Sequence, residues 1–194
     1  MQFMFDAGCE PELYQMQGKS FDYPDLTTTL CPVCGKAHLK KHGFYDRYLI
    51  TVGFEGKIVV RRYCCPECRK TVSLLPSFCH PLRTYGILAI IGILKEFYVK
   101  LSAICLAAAR FLADTGVEMS RQLLRHYRRR IEQNHNGLAM SANDVFALKK
   151  PLLTEKMSMR EKVRRLLSFI MSPQDDSLRI FRQTRTTYLT PFPI

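Results

Sequence analysis

The feature that most constrains this chain is a pair of matched cysteine motifs, Cys31-Pro32-Val33-Cys34 and Cys65-Pro66-Glu67-Cys68. In each motif two residues separate the cysteines, a spacing that lets a tight turn direct two thiolates at one metal ion. Four thiolates suit tetrahedral zinc, with Zn–S bonds of about 2.3 Å. The sequence therefore predicts one structural Zn²⁺ held by Cys31, Cys34, Cys65 and Cys68, with no open coordination position for catalysis.

The segment between the two motifs is typical of a β-hairpin. Residues 42–52 and 57–63 are rich in Tyr, Phe, Ile and Val, and the intervening Gly53-Phe54-Glu55-Gly56 is a turn signal. An antiparallel hairpin would bring the motifs together and form a zinc ribbon. Because so small a ribbon is expected to have almost no apolar core, its metal would supply folding free energy directly.

Alternative roles for the cysteines and the nearby histidines stay open at the level of sequence. Disulfides are one alternative, although nothing in the sequence suggests secretion. A redox pair is another, but it does not explain two matched motifs around a hairpin. Cys64 could replace Cys65, although only Cys65 keeps the two-residue spacing to Cys68. His38 and His42 lie near enough in sequence to compete as ligands.

Further stretches around the cysteines carry a resemblance to a known family. After the first motif comes His42-Gly43-Phe44-Tyr45-Asp46-Arg47, and residues 61–76 read Arg-Arg-Tyr-Cys-Cys-Pro-Glu-Cys-Arg-Lys-Thr-Val-Ser-Leu-Leu-Pro. These stretches resemble the zinc ribbon at the N-terminal end of bacterial insertion-sequence transposases. They are more similar still to a group of uncharacterised transposase-like proteins in which the ribbon precedes a helix-turn-helix. The match is close over residues 31–83 and looser to about residue 133. The resemblance implies DNA binding.

The charge of the chain favours a polyanionic partner. Lys and Arg total 29 against 17 Asp and Glu, which gives a net charge of +12. Residues 1–30 carry one lysine and five acidic side chains, whereas residues 31–83 carry ten basic and three acidic ones. Residues 110–194 carry sixteen basic and eight acidic side chains. The basic segments thus coincide with the ribbon and the C-terminal half, so nucleic acid is expected as partner before membrane.

From Thr84 onwards the apolar residues recur at helical spacing and predict three helices, over residues 84–100, 101–114 and 120–133. Ser102 and Ser120 are expected to cap the second and third helices, and Gly116 to end the second in a left-handed conformation. This order is compatible with a helix-turn-helix, although Glu118 and Met119 lengthen the usual short turn. The side chains expected to share the helical core are Ile87, Ile90, Leu94, Ile104, Phe111, Leu124 and Tyr127.

The third predicted helix is the candidate for reading DNA. Its apolar positions form one stripe, and the opposite face carries arginines and Gln122. A recognition helix presents such side chains to the major groove, where Arg pairs with guanine and Gln with adenine. A solvated basic face is the competing explanation. The predicted base contacts are Arg121, Gln122 and Arg125. The predicted phosphate contacts are Arg128, Arg129 and Arg130 of the helix and Arg47, Arg61, Arg62, Arg69 and Lys70 of the ribbon.

The two ends of the chain contain none of the candidate site residues. Residues 1–30, acidic and aromatic, are expected to form an extension that covers an exposed edge of the ribbon. Residues 134–157 are expected to be a linker. The capping box Ser158-Met159-Arg160-Glu161 predicts a further amphipathic helix that ends at Pro173. The tail from Gln174 is expected to be a basic arm.

These patterns together predict an α+β protein in which a small zinc-ribbon β-hairpin domain is followed by an all-α, helix-turn-helix-like domain. The predicted parts are the extension at 1–30, the ribbon and connector at 31–83 and the three-helix domain at 84–133. Residues 134–194 would hold the linker, the amphipathic helix and the basic tail.

The sequence favours a binding protein over an enzyme. It has no phosphate-cradling glycine loop and no convincing nucleophile set, and the 61 residues from 134 to 194 are too few for a transposase nuclease. The expected function is zinc-dependent binding of double-stranded DNA, as a mobile-element accessory factor, a truncated product or a regulator. An RNA-binding or protein-interaction ribbon is the alternative. The most apolar run, residues 85–94, is well short of the ~20 residues of a membrane span, so a cytoplasmic, nucleoid-associated protein is expected.

Overall fold

A four-stranded sheet and a set of helices make up the described part of the chain. The computed structural model describes residues 1–148, 151–170, 175–176 and 179–180. The strands are β1 (Gln2–Phe5), β2 (Lys40–Thr51), β3 (Phe54–Cys64) and β4 (Thr71–Pro76). The helices are α1 (Pro11–Gln17), α2 (Ile87–Tyr98), α3 (Ile104–Thr115), α4 (Arg121–Val145) and α5 (Met159–Phe169), with a 3-10 turn at Gly18–Ser20.

The sheet is built around the predicted hairpin. Its strand order is β1-β4-β3-β2, with β3 antiparallel to both β2 and β4. The hairpin turn is shorter than expected: Thr51 pairs with Phe54, so the turn consists of Val52 and Gly53. Gly53 has φ = 80°, a left-handed conformation that glycine adopts without steric cost. The hairpin itself is therefore confirmed, with longer strands than the sequence predicts.

The N-terminal extension belongs to this sheet. β1 runs parallel to β4, and the pairing extends from Gln2 with Ser73 to Phe5 with Pro76. The prediction that residues 1–30 cover an edge of the ribbon is confirmed, because β1 hydrogen-bonds along the outer edge of β4. The partners are separated by some seventy positions in the chain, so no local sequence pattern predicts this strand.

An aromatic layer joins the extension to the hairpin. The Tyr14 and Phe21 rings are 4.6 Å apart between centroids, and Tyr23 lies 5.7 Å from Phe44 of β2. The hydroxyls of Tyr14 and Tyr23 both donate to the carbonyl oxygen of Val59. Aromatic pairs of this kind contribute about 0.5–1.5 kcal/mol each beyond the area that they bury. The expectation of a ribbon with almost no apolar core is therefore wrong.

The helices pack on one another and on the sheet. α2, α3 and α4 contact each other pairwise, and α5 packs on α2 and α4. Six of the seven predicted core side chains are buried, and the seventh, Ile104, is half-buried against them. Ser120 caps α4 by accepting from the amide of Leu123, and Gly116 ends α3 with φ = 71°, both as predicted.

The connector between β4 and α2 fixes the helices to the sheet. The amide of Ile50 donates to the carbonyl of Thr84, and the amide of Gly86 donates to the carbonyl of Ile50. A Cβ atom at Gly86 would lie 2.8 Å from the side chain of Thr51 and 2.9 Å from the carbonyl oxygen of Phe78. Sheet and helices share one cluster of buried apolar side chains. The fold is thus mixed α+β, as predicted, but a ribbon followed by a separate all-α domain is not confirmed.

The largest difference from the predicted secondary structure is the length of α4. The helix was expected to end at Gln133 but continues to Val145, so residues 134–145 are not a linker. The polar run that begins at Asn134 is typical of a loop, yet Leu138, Ala142 and Val145 continue the buried stripe at helical spacing. Burial of that stripe against neighbouring helices outweighs the weak helix propensity of the polar residues.

Two further predictions concern helix ends. Ser102 does not cap α3: the helix begins at Ile104, and the Ser102 hydroxyl accepts from the Arg110 guanidinium instead. Ser158 does cap α5, accepting from the amide of Glu161. α5 ends at Phe169, and the predicted stop at Pro173 lies outside the described residues, as does most of the predicted basic tail. Among the described helices, none combines the length and apolar character that crossing a membrane requires.

Candidate metal centre and basic surfaces

The two cysteine motifs fold into equivalent turns. In the first turn the amide of Gly35 donates to the carbonyl of Cys31 at 2.8 Å. In the second turn the amide of Arg69 donates to the carbonyl of Cys65 at 3.0 Å. The residue after each second cysteine is left-handed, with φ = 66° at Gly35 and φ = 59° at Arg69. This conformation is ordinary for glycine but costs free energy at an arginine, so the fold holds the second turn in place.

The hairpin brings these turns together. Lys40 at the start of β2 pairs with Cys64 at the end of β3, so each motif lies at the same end of the hairpin. A hydrogen bond from the Cys31 amide to the Ala37 carbonyl, at 2.8 Å, closes the loop that contains the first turn. The matching bond of the second turn joins the Cys65 amide to the Lys70 carbonyl, at 3.0 Å. Long-range strand pairing therefore brings the two cysteine turns together, which the spacing within each motif cannot do.

The four thiols have the separations that a tetrahedral metal site requires. The Sγ atoms of Cys31 and Cys68 are 3.6 Å apart, as are those of Cys34 and Cys65, and all four lie within 4.8 Å of one another. Ligands at about 2.3 Å from a tetrahedral ion would be about 3.8 Å apart, whereas disulfide sulfurs lie about 2.0 Å apart. The predicted ligand set is confirmed as a cluster compatible with one structural metal ion.

The competing ligands lie elsewhere. The Cys64 thiol contacts the carbonyl oxygen of Cys65 at 3.5 Å, and His38 Nδ1 lies 3.0 Å from the carbonyl oxygen of Thr28. His42 is exposed on β2. Among the described residues, no other set of three or more His, Cys, Asp or Glu side chains comes together in this way.

The thiols of the cluster differ in acidity. Burial raises the pKa of the Cys31 thiol, but hydrogen bonds from the amides of Cys34 and Val33 and from neighbouring thiols lower it to about 6. The Lys70 amide lowers the pKa of Cys68, but burial and the adjacent thiols raise it to about 12. Without an ion, the cluster therefore favours a thiolate at Cys31 over one at Cys68. A bound cation would allow all four to ionise, as metal binding requires.

The predicted base-contacting residues lie on an accessible surface. Arg121, Gln122 and Arg125 occupy the first turns of α4, and all three side chains are exposed. Their positions one helical turn apart place Arg121 and Arg125 on the same side of the helix. Arg129 continues that side and is also exposed. The described ion pairs include none of these arginines.

Arg128 makes contacts within the protein. Its Nε lies 3.5 Å from a carboxylate oxygen of Glu132, and its guanidinium lies 5.4 Å from the centroid of the Phe97 ring on α2. Arg160 of α5 lies at the same distance from the same ring. Arg128 therefore braces α4 against its neighbours, which leaves its guanidinium less available to a phosphate than those of the exposed arginines. Arg130 is half-buried.

The ribbon arginines of β3 lie on different faces of the sheet. Arg61 and Arg62 are consecutive in β3 and so lie on opposite faces of the sheet. Arg61 stacks over Phe44 at 4.6 Å, in a cleft of about 210 Å³ that Asp22 and Asp25 also line. Arg62 stacks over Tyr45 at 4.8 Å. The two guanidinium groups therefore face opposite sides of the sheet, and the phosphate contacts of Arg61 and Arg62 stay predictions. Arg69 and Lys70 are exposed beside the cysteine cluster.

Arg47 is a structural residue. Its Nη2 donates to the carbonyl oxygen of His80 at 2.6 Å and also to that of Arg83. Arg47 thus holds the connector against β2. The prediction of a phosphate contact at Arg47 has no support from this geometry.

Sequence reasoning missed Arg83 and His126. His126 is exposed on α4, and its pKa is lowered first by burial and then by the charges of Arg83, Arg130 and Arg129. Arg83 belongs to the connector, more than forty positions earlier, so no local pattern links it with α4. The connector geometry alone brings its charge to the basic side of that helix.

The comparisons with known proteins give one match. Residues 31–106 match the family described as a domain of unknown function, DUF6431, and this segment contains all four clustered cysteines, the connector, α2 and the first turn of α3. Searches among curated proteins and among solved structures give no match. The matched segment spans both the ribbon and the start of the helical part. These two parts share one cluster of buried apolar side chains.

Proposed function

We propose that this protein binds double-stranded DNA through α4, with one zinc ion as a structural cofactor and no catalytic activity. The observation that carries the proposal is the row of exposed cations on α4, formed by Arg121, Arg125 and Arg129. None of them takes part in an ion pair within the described residues. Unpaired cations at one-turn spacing suit the phosphates and guanine edges of a duplex. A role as a mobile-element accessory factor or regulator fits the resemblance to transposase-like proteins.

The donor set supports zinc as the metal. Four thiolates at tetrahedral separations are the ligands of structural zinc sites and leave no position for a substrate. Such a site orders the two turns and the strand ends between which it lies. Zinc would therefore act here by stabilising the sheet, and elemental analysis of protein purified under reducing conditions should give one equivalent.

The arrangement of α3 and α4 supports a helix-turn-helix-like mode of binding. α3 ends at Thr115, and α4 begins at Arg121 after the Ser120 cap, so five residues separate the two helices. The Tyr85 hydroxyl donates to the carbonyl of Glu118 at 2.8 Å and ties the connector to this turn. In such a motif the second helix enters the major groove with its N-terminal residues at the base edges. Arg121, Gln122 and Arg125 occupy that position.

Two substitutions should separate base contacts from backbone contacts. Arg125→Ala is expected to weaken binding to the preferred site by about 1–3 kcal/mol and to relax base choice. Arg62→Ala is expected to weaken every duplex alike and to lower the slope of log K against log salt by about one. The measurement is fluorescence anisotropy with a selected duplex and a scrambled one, at several salt concentrations.

Arg164→Ala is the matched control for that measurement. It removes the same charge, but Arg164 is already paired with Glu161 on α5, so DNA affinity should stay near the wild-type value. If Arg125→Ala and Arg62→Ala are as silent as this control, α4 is a solvated basic face and a protein-interaction role replaces this proposal. If RNA competes as well as duplex DNA does, an RNA-binding role replaces it.

A further inference from the structure

The connector places Arg83 beside α4. Arg47 donates to the backbone carbonyls of His80 and Arg83, which fixes this stretch against β2. Two residues further on, Tyr85 donates to the carbonyl of Glu118, just before α4 begins. The backbone at Arg83 is thus held between the hydrogen bonds of Arg47 and that of Tyr85. Its charge acts on the nearby titratable groups His80, His126 and Tyr127.

α4 presents a matching group of cations to Arg83. His126, Arg129 and Arg130 are spaced by three and four residues, which places their side chains on one side of the helix. His126 and Arg129 are exposed, and Arg83 and Arg130 are half-buried. The charged side chains that act on His126 are Arg83 from the connector and Arg129 and Arg130 from its own helix. No carboxylate is among them.

Three other cations of the described helical part do have a carboxylate partner. Arg128 pairs with Glu132, Arg164 with Glu161 and Lys100 with Glu96. Arg83, Arg129 and Arg130, by contrast, make no ion pair in the ranges that the structure describes. Like charges held close together without an anion repel each other, and a bound anion would relieve that repulsion.

We propose that Arg83, His126, Arg129 and Arg130 form a phosphate-binding cluster, and that phosphate binding there is accompanied by protonation of His126. This inference rests on the proposed function and assigns the phosphate to the backbone of duplex DNA. The connector thereby becomes part of the DNA-binding surface, and Arg47 is a positioning residue that acts through Arg83. Phosphate oxygens accept from both guanidinium and imidazolium N–H groups, which suits this mixed set of donors.

Proton uptake at His126 predicts a specific pH dependence. In the free protein, burial and then the charges of the neighbouring arginines disfavour the charged imidazole, so the pKa of His126 lies below its usual value. A bound phosphate adds negative charge and raises that pKa. Binding therefore takes up a proton, and affinity should increase as pH falls from about 8 to about 6, by up to about tenfold per pH unit.

The first arm of the test uses duplex DNA. Arg83→Gln should weaken binding roughly fivefold to tenfold at 0.1 M salt and lower the salt slope by about one. His126→Gln should leave affinity at pH 8 nearly unchanged but remove most of the gain on going to pH 6. The matched controls are Arg164→Gln, which removes a paired cation, and His42→Gln, which removes an exposed histidine from β2. Both should behave as the wild type does.

The second arm uses sodium pyrophosphate without DNA. The His126 imidazole resonances, assigned with His126→Gln, should shift and saturate in the wild type and should respond much less in Arg83→Gln. Arg83→Lys, which restores the charge, should recover part of the response. Thermal unfolding of each variant checks that it folds.

The two arms distinguish failure of the inference from failure of the proposed function. If the wild type binds duplex DNA while Arg83→Gln and His126→Gln match their controls, the cluster is overturned and α4 still binds DNA. If DNA does not bind but pyrophosphate shifts His126 only when Arg83 is present, the cluster is a site for free phosphate compounds and the DNA proposal fails. If duplex DNA does not bind and pyrophosphate does not shift the His126 resonances, both proposals are overturned.

Discussion

Cys65→Ser should release the metal and unfold the cysteine turns. Cys65 is fully buried, its Sγ lies 3.6 Å from that of Cys34, and its backbone closes the second turn through Lys70. The apparent binding free energy of structural zinc is about 10–16 kcal/mol in zinc-finger peptides. Loss of even about 5 kcal/mol should lower Tm by roughly 10–20 °C in a protein of this size.

Cys64→Ser is the matched control, since it makes the same chemical change one position earlier. The Cys64 thiol donates to a backbone carbonyl at 3.5 Å and is not among the four clustered thiols, so zinc content should stay at one equivalent and Tm should change little. Elemental analysis and thermal unfolding measure both variants. Full zinc content in Cys65→Ser, or equal losses in the two variants, would contradict the assignment of Cys65 as a ligand.

The aromatic layer limits how far such unfolding should spread. Tyr14, Phe21 and Tyr23 pack on the hairpin through ring contacts that involve none of the four clustered cysteines, and the helices have their own buried stripes. Metal-free protein should therefore keep most of its helical circular dichroism at 20 °C. A complete loss of helix on chelation would show that the metal controls the whole fold.

Phe111→Ala should cost about 3–5 kcal/mol, or roughly 6–20 °C in Tm. The ring is 3 % exposed and packs where α3 crosses α2 at Gly92. A Cβ atom at Gly92 would lie 2.6 Å from a ring carbon of Phe111, so glycine is required there by the close approach of the helices. Removing the ring leaves a cavity that the rigid helix pair cannot fill.

Two further variants make this prediction specific. Leu112→Ala, at the neighbouring and 44 % exposed position, should cost far less than Phe111→Ala. Gly92→Ala should destabilise the wild type, because the new methyl group meets the ring. In the Phe111→Ala background it should be neutral or stabilising, since alanine favours helix by about 1 kcal/mol over glycine. Additive effects in this double-mutant cycle would show that the ring does not pack over Gly92.

The sequence by itself determined the features that depend on neighbouring residues. Two residues between cysteines fix the geometry of a metal-binding turn, and both turns form as predicted around Cys31 and Cys65. The caps at Ser120 and Ser158 and the left-handed end at Gly116 likewise depend on backbone groups within four residues. Because these interactions join residues close in sequence, local pattern is sufficient to find most of them, although at Ser102 the hydroxyl accepts from the Arg110 guanidinium instead.

Only the tertiary structure decided which of the predicted residues are available for function. Arg47, Arg125 and Arg128 are the same residue type in similarly basic surroundings. In the fold, Arg47 hydrogen-bonds to two backbone carbonyls, and Arg128 pairs with Glu132 and stacks over Phe97. Arg125 stays exposed. The fold also brings the charge of Arg83 within electrostatic reach of His126. These outcomes depend on partners far away in sequence, because burial of apolar surface fixes the positions of whole elements and polar side chains bond to whatever groups lie within reach.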